Sequence, residues 1–252
     1  MKEISSHTNE YIKVLKSLKQ KKSRDEHGLY IIEGQKCIDE AILFHAPIKS
    51  VLISDKNPID TAMYEKMDIE IICVPHTIIQ QISDTKSPPN IIACLQKRET
   101  LPELDKKFYV ATDDVNDPKN LGTIIRTADA VGADGVFVSQ NSADVFGPKV
   151  QRAAMGSTFH IPVQVCGLRT TLEAFKNAGG AVVCGSLKGR EKFTAGYEKV
   201  CVVIGNEARG ISHEILELAD ELYKIKIYGQ AESLNASVAA GILLYDMKRC
   251  MK

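Results

Sequence analysis

Three short polar clusters stand where apolar, strand-like runs end in the second half of this sequence. They are "DVNDPKNLGTIIRTA" from residue 114, "GNEARG" from 205 and "GQAESLNAS" from 229. In the first, Asn120 stands where a helix N-cap belongs and Gly122 permits close backbone approach. Arg126 follows, beside the core candidates Ile124, Ile125 and Ala128. In the second, Asn206 and Glu207 come directly after an apolar run that closes at Gly205. A loop needs polar residues, but it does not need a carboxylate and an amide at this point. In the third, Ser233, Asn235 and Ser237 surround Leu234 at a helix start. Capping accounts for one of the three; the others, with the orphan N–H groups of the helix, can hold a polar ligand.

Other site chemistries are absent from the sequence. No G-x-x-x-x-G-K-[ST] occurs, and no G-x-G-x-x-G follows a strand, since "CGSLKGRE" spaces its glycines four apart. Neither a G-x-S-x-G elbow nor an H-E-x-x-H pair is present. The seven cysteines show no C-x-x-C or C-x-x-H spacing, so the sequence suggests no metal site and reads as carrying buried free thiols in a reducing compartment.

The clusters need strands and helices to place them. From "FYVATDDV" onward the sequence alternates strictly: helix "NLGTIIRTADAVG", strand "GVFVSQ", short helix "PKVQRAAMG", strand "IPVQVC", helix "LRTTLEAFKNAG". Strands "GAVVCGS" and "KVCVVIG" follow, then a short helix "SHEILELAD", a strand "LYKIKIY", and a helix from about Leu234 to Met251. Such alternation predicts an α/β domain with a mostly parallel sheet covered on both faces. Ligands then bind beyond the carboxyl ends of the strands, where all three clusters lie.

Residues 99–107, "ETLPELDKK", are polar and separate this region from a smaller α/β module at 1–98. The module opens with "YIKVLKSLKQKKSR", in which Ile12, Leu15 and Leu18 have helical spacing. Lys16, Lys19, Lys21, Lys22 and Arg24 make it the best candidate for a phosphate-binding patch in a chain of zero net charge. That neutrality argues against a protein that coats nucleic acid non-specifically. At 252 residues, 44% hydrophobic and 25% charged, the chain is an ordinary globular one. It contains no stretch of membrane-span length and no signal-type N-terminus, which predicts a cytoplasmic protein.

In order and spacing, "NLGTIIRTADAVGADGV", "VVIGNEARGIS" and "IKIYGQAESLNASVAAGILLYDMKR" resemble the three motifs of the SpoU (TrmH) family of RNA ribose 2′-O-methyltransferases, within the SPOUT superfamily. The resemblance covers residues 108–250, and residues 1–98 are similar to the L30e-like substrate-binding domain of ribosomal RNA members. It implies a parallel-sheet SPOUT domain (108–252) with a deep trefoil knot, S-adenosylmethionine as cofactor, no metal, and a homodimer made by the C-terminal domain. By the matched positions, Ser186, Leu187, Gly205, Ile225 and Leu234 contact the cofactor. Arg126 corresponds to the catalytic arginine, joined by Glu207 and Asn235, while Asn120, Asn206 and Ser233 meet the substrate.

A guanidinium is a reluctant base. The reading is that Arg126 holds a phosphate beside the target ribose and stabilises the developing alkoxide, with Glu207 and Asn235 orienting the ribose. The implied substrate is a guanosine in 23S ribosomal RNA. A tRNA ribose or base methyltransferase and a non-catalytic RNA-binding dimer are the competing readings.

Overall fold

Runs rich in Val, Ile and Phe, bounded by Gly, Pro and Asp, form strands, and helices with one apolar face cover them. The computed structural model describes residues 1–56, 60–98, 101–193 and 196–251. Glu99 and Thr100 of the expected linker and Lys252 lie outside the described residues. The chain groups into two units, 1–98 with 146–152, and 99–145 with 153–252.

The first unit contains β1 (Lys2–Glu3), α1 (Glu10–Ser17), α2 (Lys21–His27), β2 (Leu29–Glu33), α3 (Gln35–Leu43), β3 (Ile48–Ser54), α4 (Ala62–Lys66), β4 (Glu70–Val74), α5 (His76–Ile82) and β5 (Ile91–Gln96). Its sheet has the order β1-β4-β3-β5-β2, with β5 antiparallel to both neighbours and the remaining pairs parallel. Ile12, Leu15 and Leu18 pack on Leu52, Ile72, Ile78 and Ile92. Residues 146–152 complete this unit: the Phe146 ring lies 5.0 Å from that of Tyr30, and Arg152 lies 3.5 Å from Glu33 and 3.4 Å from Asp84.

The basic stretch at 11–24 is not one helix. It breaks after Ser17 and resumes at Lys21, and Arg24 is buried at the break. Its Nη1 donates to the carbonyls of Leu18 (2.7 Å) and Lys19 (2.9 Å). The last carbonyls of α1 have no partner within the helix, and the guanidinium supplies one. Arg24 is therefore removed from the RNA-facing set expected from the sequence, whereas Lys19, Lys21 and Lys22 are exposed. Lys16 is half-buried and donates to the His7 carbonyl at 3.2 Å.

The second unit contains β6 (Phe108–Asp113), α6 (Pro118–Ala130), β7 (Gly135–Ser139), α8 (Ser157–His160), β8 (Val163–Cys166), α9 (Leu168–Asn177), β9 (Ala181–Arg190), β10 (Val200–Gly205), α10 (His213–Leu216), β11 (Glu221–Tyr223) and α11 (Ala236–Cys250); α7 (Pro148–Ala154) spans the junction of the two groupings. The six strands are all parallel, in the order β11-β9-β10-β6-β7-β8. In the core Phe137 stacks on Tyr109 and Phe175 meets it edge-on, with ring centroids 5.3 and 5.2 Å from that of Tyr109. The strand expected over 222–228 stops at Tyr223, and the helix expected over 212–220 is a single turn. α8 has no counterpart in the sequence reading.

Cys94, Cys166, Cys184 and Cys201 are buried, Cys37 and Cys73 half-buried, and Cys250 exposed. Burial raises the Cys184 thiol to about 12, and a thiol so shifted is unreactive. Among the described residues, no helix is long and apolar enough to cross a membrane.

The position of Arg24 makes a discriminating prediction. Arg24→Ala should lower stability in urea by about 1–3 kcal/mol, the loss expected for buried bonds to a charged donor. Joint replacement of Lys19, Lys21 and Lys22 by glutamine should leave the unfolding midpoint almost unchanged. Equal midpoints for the wild type and the Arg24 variant would show that the guanidinium is not needed at the break.

Candidate active site

From β6 the chain builds outward through β7 to β8, then returns to the other side of β6 with β9 and β10. The switch point is therefore between β6 and β10, whose register runs from Val200↔Phe108 to Gly205↔Asp113. Open α/β sheets bind ligands outside the carboxyl ends at such a point. Here those ends are Asp113–Asp114 and Gly205–Glu207, and the start of α11 joins them.

One line of hydrogen bonds connects all three sequence clusters. The Glu207 carboxylate accepts from the backbone N–H groups of Asn116 (3.2 Å) and Asp117 (3.1 Å) and from Asn120 Nδ2 (3.0 Å). Asn120 Oδ1 accepts from Asn235 Nδ2 at 3.0 Å. Asn235 Oδ1 in turn accepts from the N–H groups of Ser237 (2.9 Å) and Val238 (3.3 Å) and from the Ser237 hydroxyl (2.7 Å). Burial pushes the Glu207 carboxyl up, but the bonds from Asn120, Asp117 and Asn116 outweigh it and hold it below the usual carboxylate range. Glu207 is thus an ionised, acceptor-only group, and every amide along the line must point its NH2 toward Glu207 and its oxygen toward α11.

Local structure departs from expectation at two of these residues. The N-cap of α6 is Asp117, whose side chain accepts from Lys119 N, with Pro118 as the first helical residue. Asn120 lies inside the helix and is buried, so it links Glu207 to Asn235 instead of facing substrate. Asn206 was expected on the substrate side. Its Nδ2 donates to the Asp114 carbonyl (2.7 Å) and its Oδ1 accepts from Ala208 and Arg209 N–H (2.9 and 3.0 Å), which commits the amide to holding its own turn.

Gly205 is required for a reason internal to the fold. A Cβ there would come within 2.4 Å of the backbone at Gly210 and Ile211, because the turn folds back to pair Asn206 with Gly210. The side-chain position of residue 205 is thus taken by the chain's own loop, so any contact of Gly205 with the cofactor is through its backbone.

The other expected residues line the same end of the sheet. β9 and β10 pair only as far as Cys184↔Val203, so the backbone of Gly185, Ser186 and Leu187 is released from β10. Leu187 is 60% exposed and Leu234 37%, while Ile225 is half-buried. Ser233 is exposed. Arg126 is exposed on α6 and makes no ion pair or side-chain hydrogen bond among the described residues. These donors and apolar side chains suit an adenosyl group, which needs an apolar cleft and backbone hydrogen bonds. Among the described residues, no group of three or more His, Cys, Asp or Glu is placed to hold a metal ion.

Sequence reading missed the supports behind the clusters. Asp114, at φ +54°, accepts from the Ser139 hydroxyl (2.9 Å) and lies 3.4 Å from Arg209. Asp113 accepts from Ser212 N at 2.7 Å. Position at a strand end was the only available signal for either aspartate.

Residues 107–245 match the SpoU rRNA Methylase family, and residues 9–93 match the MRM3-like substrate binding domain. The chain is 34% identical over 251 residues to the 23S rRNA (guanosine(2553)-2'-O)-methyltransferase RlmP of Bacillus subtilis (strain 168), covering 98% of this chain and 100% of the relative. It is similar to an AdoMet-bound rRNA methyltransferase from Sinorhizobium meliloti, with a TM-score of 0.86, 31% identity, and 98% and 97% of the two chains covered. The SpoU methyltransferase AviRb from Streptomyces viridochromogenes, in complex with AdoMet, superposes with a TM-score of 0.85 at 26% identity over 96% and 97%.

The polarity of the line is testable through pH. In Glu207→Gln an NH2 group must face one of three donors, so the variant should be less stable than the wild type at pH 7. Because the folded pKa of Glu207 is depressed, its contribution is present above the ordinary glutamate value of about 4.3 and is lost as pH falls through the folded value. The gap in melting temperature between the two proteins should therefore close at acid pH. A gap constant from neutral to acid pH would mean that the charge of Glu207 does not hold the line.

Proposed function

Since the chain belongs to the SpoU rRNA Methylase family, we propose that it transfers a methyl group from S-adenosylmethionine to the ribose 2′-hydroxyl of a guanosine in 23S ribosomal RNA. One observation carries the site assignment: the three motif clusters meet in a single hydrogen-bonded line at the switch point of the sheet. The match of residues 9–93 to a substrate-binding domain supports a ribosomal substrate, bound by the domain at 1–98, with chemistry in the domain at 108–252. A cytoplasmic location follows from such a substrate.

Ser186, Leu187, Gly205, Ile225 and Leu234 would hold the cofactor, whose sulfonium supplies an electrophilic methyl group. The work of the protein is to bring the hydroxyl into line and to support its oxygen as the proton leaves, and such positioning is worth several kcal/mol. Glu207, fully engaged with Asn116, Asp117 and Asn120, positions the first and third motifs, and Asn235 fixes the start of α11. Arg126, with no ion pair or side-chain hydrogen bond among the described residues, is free to hold a phosphate bidentately and to stabilise the alkoxide. Ser233 is an exposed hydroxyl two residues before Asn235 and would serve as a further substrate contact.

Two further features belong to this reading. α11 packs on α6 and β10, whereas the strand before it, β11, pairs with β9 at the edge of the sheet. Residues 224–235 must therefore cross beyond β9, which supports the trefoil knot. α11 also leaves Val238, Ile242 and Tyr245 exposed in one stripe, continued by Leu234 just before its N-cap, with open space around Gly241. A homodimer would cover that stripe, and light scattering of the full chain measures it; a monomer would count against the assembly.

The experiment uses a transcript of the 23S segment that contains the guanosine for which the Bacillus relative is named. Ribose methylation of that nucleotide by the purified protein is expected, and a mapped methyl group elsewhere would overturn the substrate assignment. Arg126→Ala should lower turnover by on the order of 10²-fold with cofactor affinity retained, and Arg126→Lys should recover little of it. The triple glutamine variant at Lys19, Lys21 and Lys22 should bind the transcript with a flatter salt dependence.

A further inference from the structure

The first unit is not the only basic surface. The outer end of β9 and the segment after β11 run side by side, because Tyr223 is in register with Arg190 and Lys224 N donates to the Arg190 carbonyl at 2.8 Å. Lys188, Arg190 and Lys192 are exposed on one segment, and Lys224 and Lys226 stand on the other, half-buried and exposed. Glu191 is the only acid within 187–192 and 224–228, and Lys226 Nζ lies 3.3 Å from its carboxylate.

From this surface rises Tyr228, 89% exposed. Its hydroxyl and ring edge have no role in the core, and Lys226 Nζ lies 5.3 Å from the ring centroid. In sequence Tyr228 lies three residues after Ile225 of the proposed cofactor set and five before Ser233 of the proposed substrate set. Single-stranded RNA is recognised by such means: aromatic faces take splayed bases and flanking cations neutralise phosphates. A protein partner would not need so many cations around one bare ring.

We propose that Tyr228 is a stacking platform for an RNA base neighbouring the target nucleotide, with the lysines and arginine around it holding the adjoining phosphates. This rests on the RNA methyltransferase reading. Tyr228 would be a substrate-positioning residue that sets which unpaired segment can present its ribose to Arg126.

The chain has no tryptophan, so Tyr228→Trp places a single indole at the platform. In the full-length protein its emission should be quenched when the 23S transcript is added. Tyr228→Ala should raise KM for the transcript by roughly 10-fold or more while leaving S-adenosylmethionine affinity unchanged, as loss of one stacked base does. Tyr228→Phe keeps the ring face and should restore KM. An indole that stays bright when RNA is bound, or an alanine variant with the wild-type KM, would overturn the proposal. So would emission that shifts on diluting the protein without RNA, since the ring would then be covered by a second copy. Wild-type methyl transfer on the same transcript is read separately: its absence with quenching intact would sink the reaction assigned above and leave the platform standing.

Discussion

The constraint on which the site depends is the direction of one line of hydrogen bonds. An ionised carboxylate at one end can only accept, and the free N–H groups of a helix at the other end can only donate. Two asparagines between them satisfy both ends in one orientation alone, with Asn120 donating to Glu207 and Asn235 donating to Asn120. This gives the three motifs a common register although they are far apart in the chain. It also explains why side chains that look like substrate ligands face inward. Glu207, Asn120 and Asn206 organise the loops, whereas Arg126 and Ser233 are left exposed, as the proposed reaction requires.

A second layer of the same logic keeps the switch point rigid. The turn after β10 folds back so closely that only glycine fits at position 205, and Asn206 closes it through Asp114. Asp114 is itself held in a left-handed conformation by Ser139 at the end of β7. Backbone strain of that kind persists only where the surroundings over-determine it. Here carboxyl ends of β6, β7 and β10 share the load, so the site is built by the sheet and not by one loop.

Much of this was legible beforehand. Strict alternation announced the parallel sheet, and strand ends announced where chemistry would sit, because both follow from local periodicity. What stayed hidden depends on partners distant in sequence. Asn120 reads as a cap until Asp117 and Pro118 are seen to start α6, and a buried tie until then looks like a substrate ligand. Arg24 is one cation among six by composition, and only the broken helix shows that its donors are consumed. Ile225 sits in an alternating run, 222–228, that reads as strand, yet the run leaves the sheet after Tyr223 because the chain must cross back toward α11.

The segment 146–152 has a consequence for synthesis. Glu33, whose side chain is 4% exposed, meets Arg152, and Tyr30 meets Phe146, so the N-terminal unit contains partners encoded well after its last strand. As the chain emerges, that unit can form its sheet but waits for residues 99–145 to be translated, a delay on the order of 2–10 s at ordinary elongation rates. During that interval a nearly buried carboxylate lacks its cation and an aromatic face is uncovered. Final closure of the N-terminal unit is thus timed by the synthesis of residues 146–152, which lie within the sequence span of the second unit.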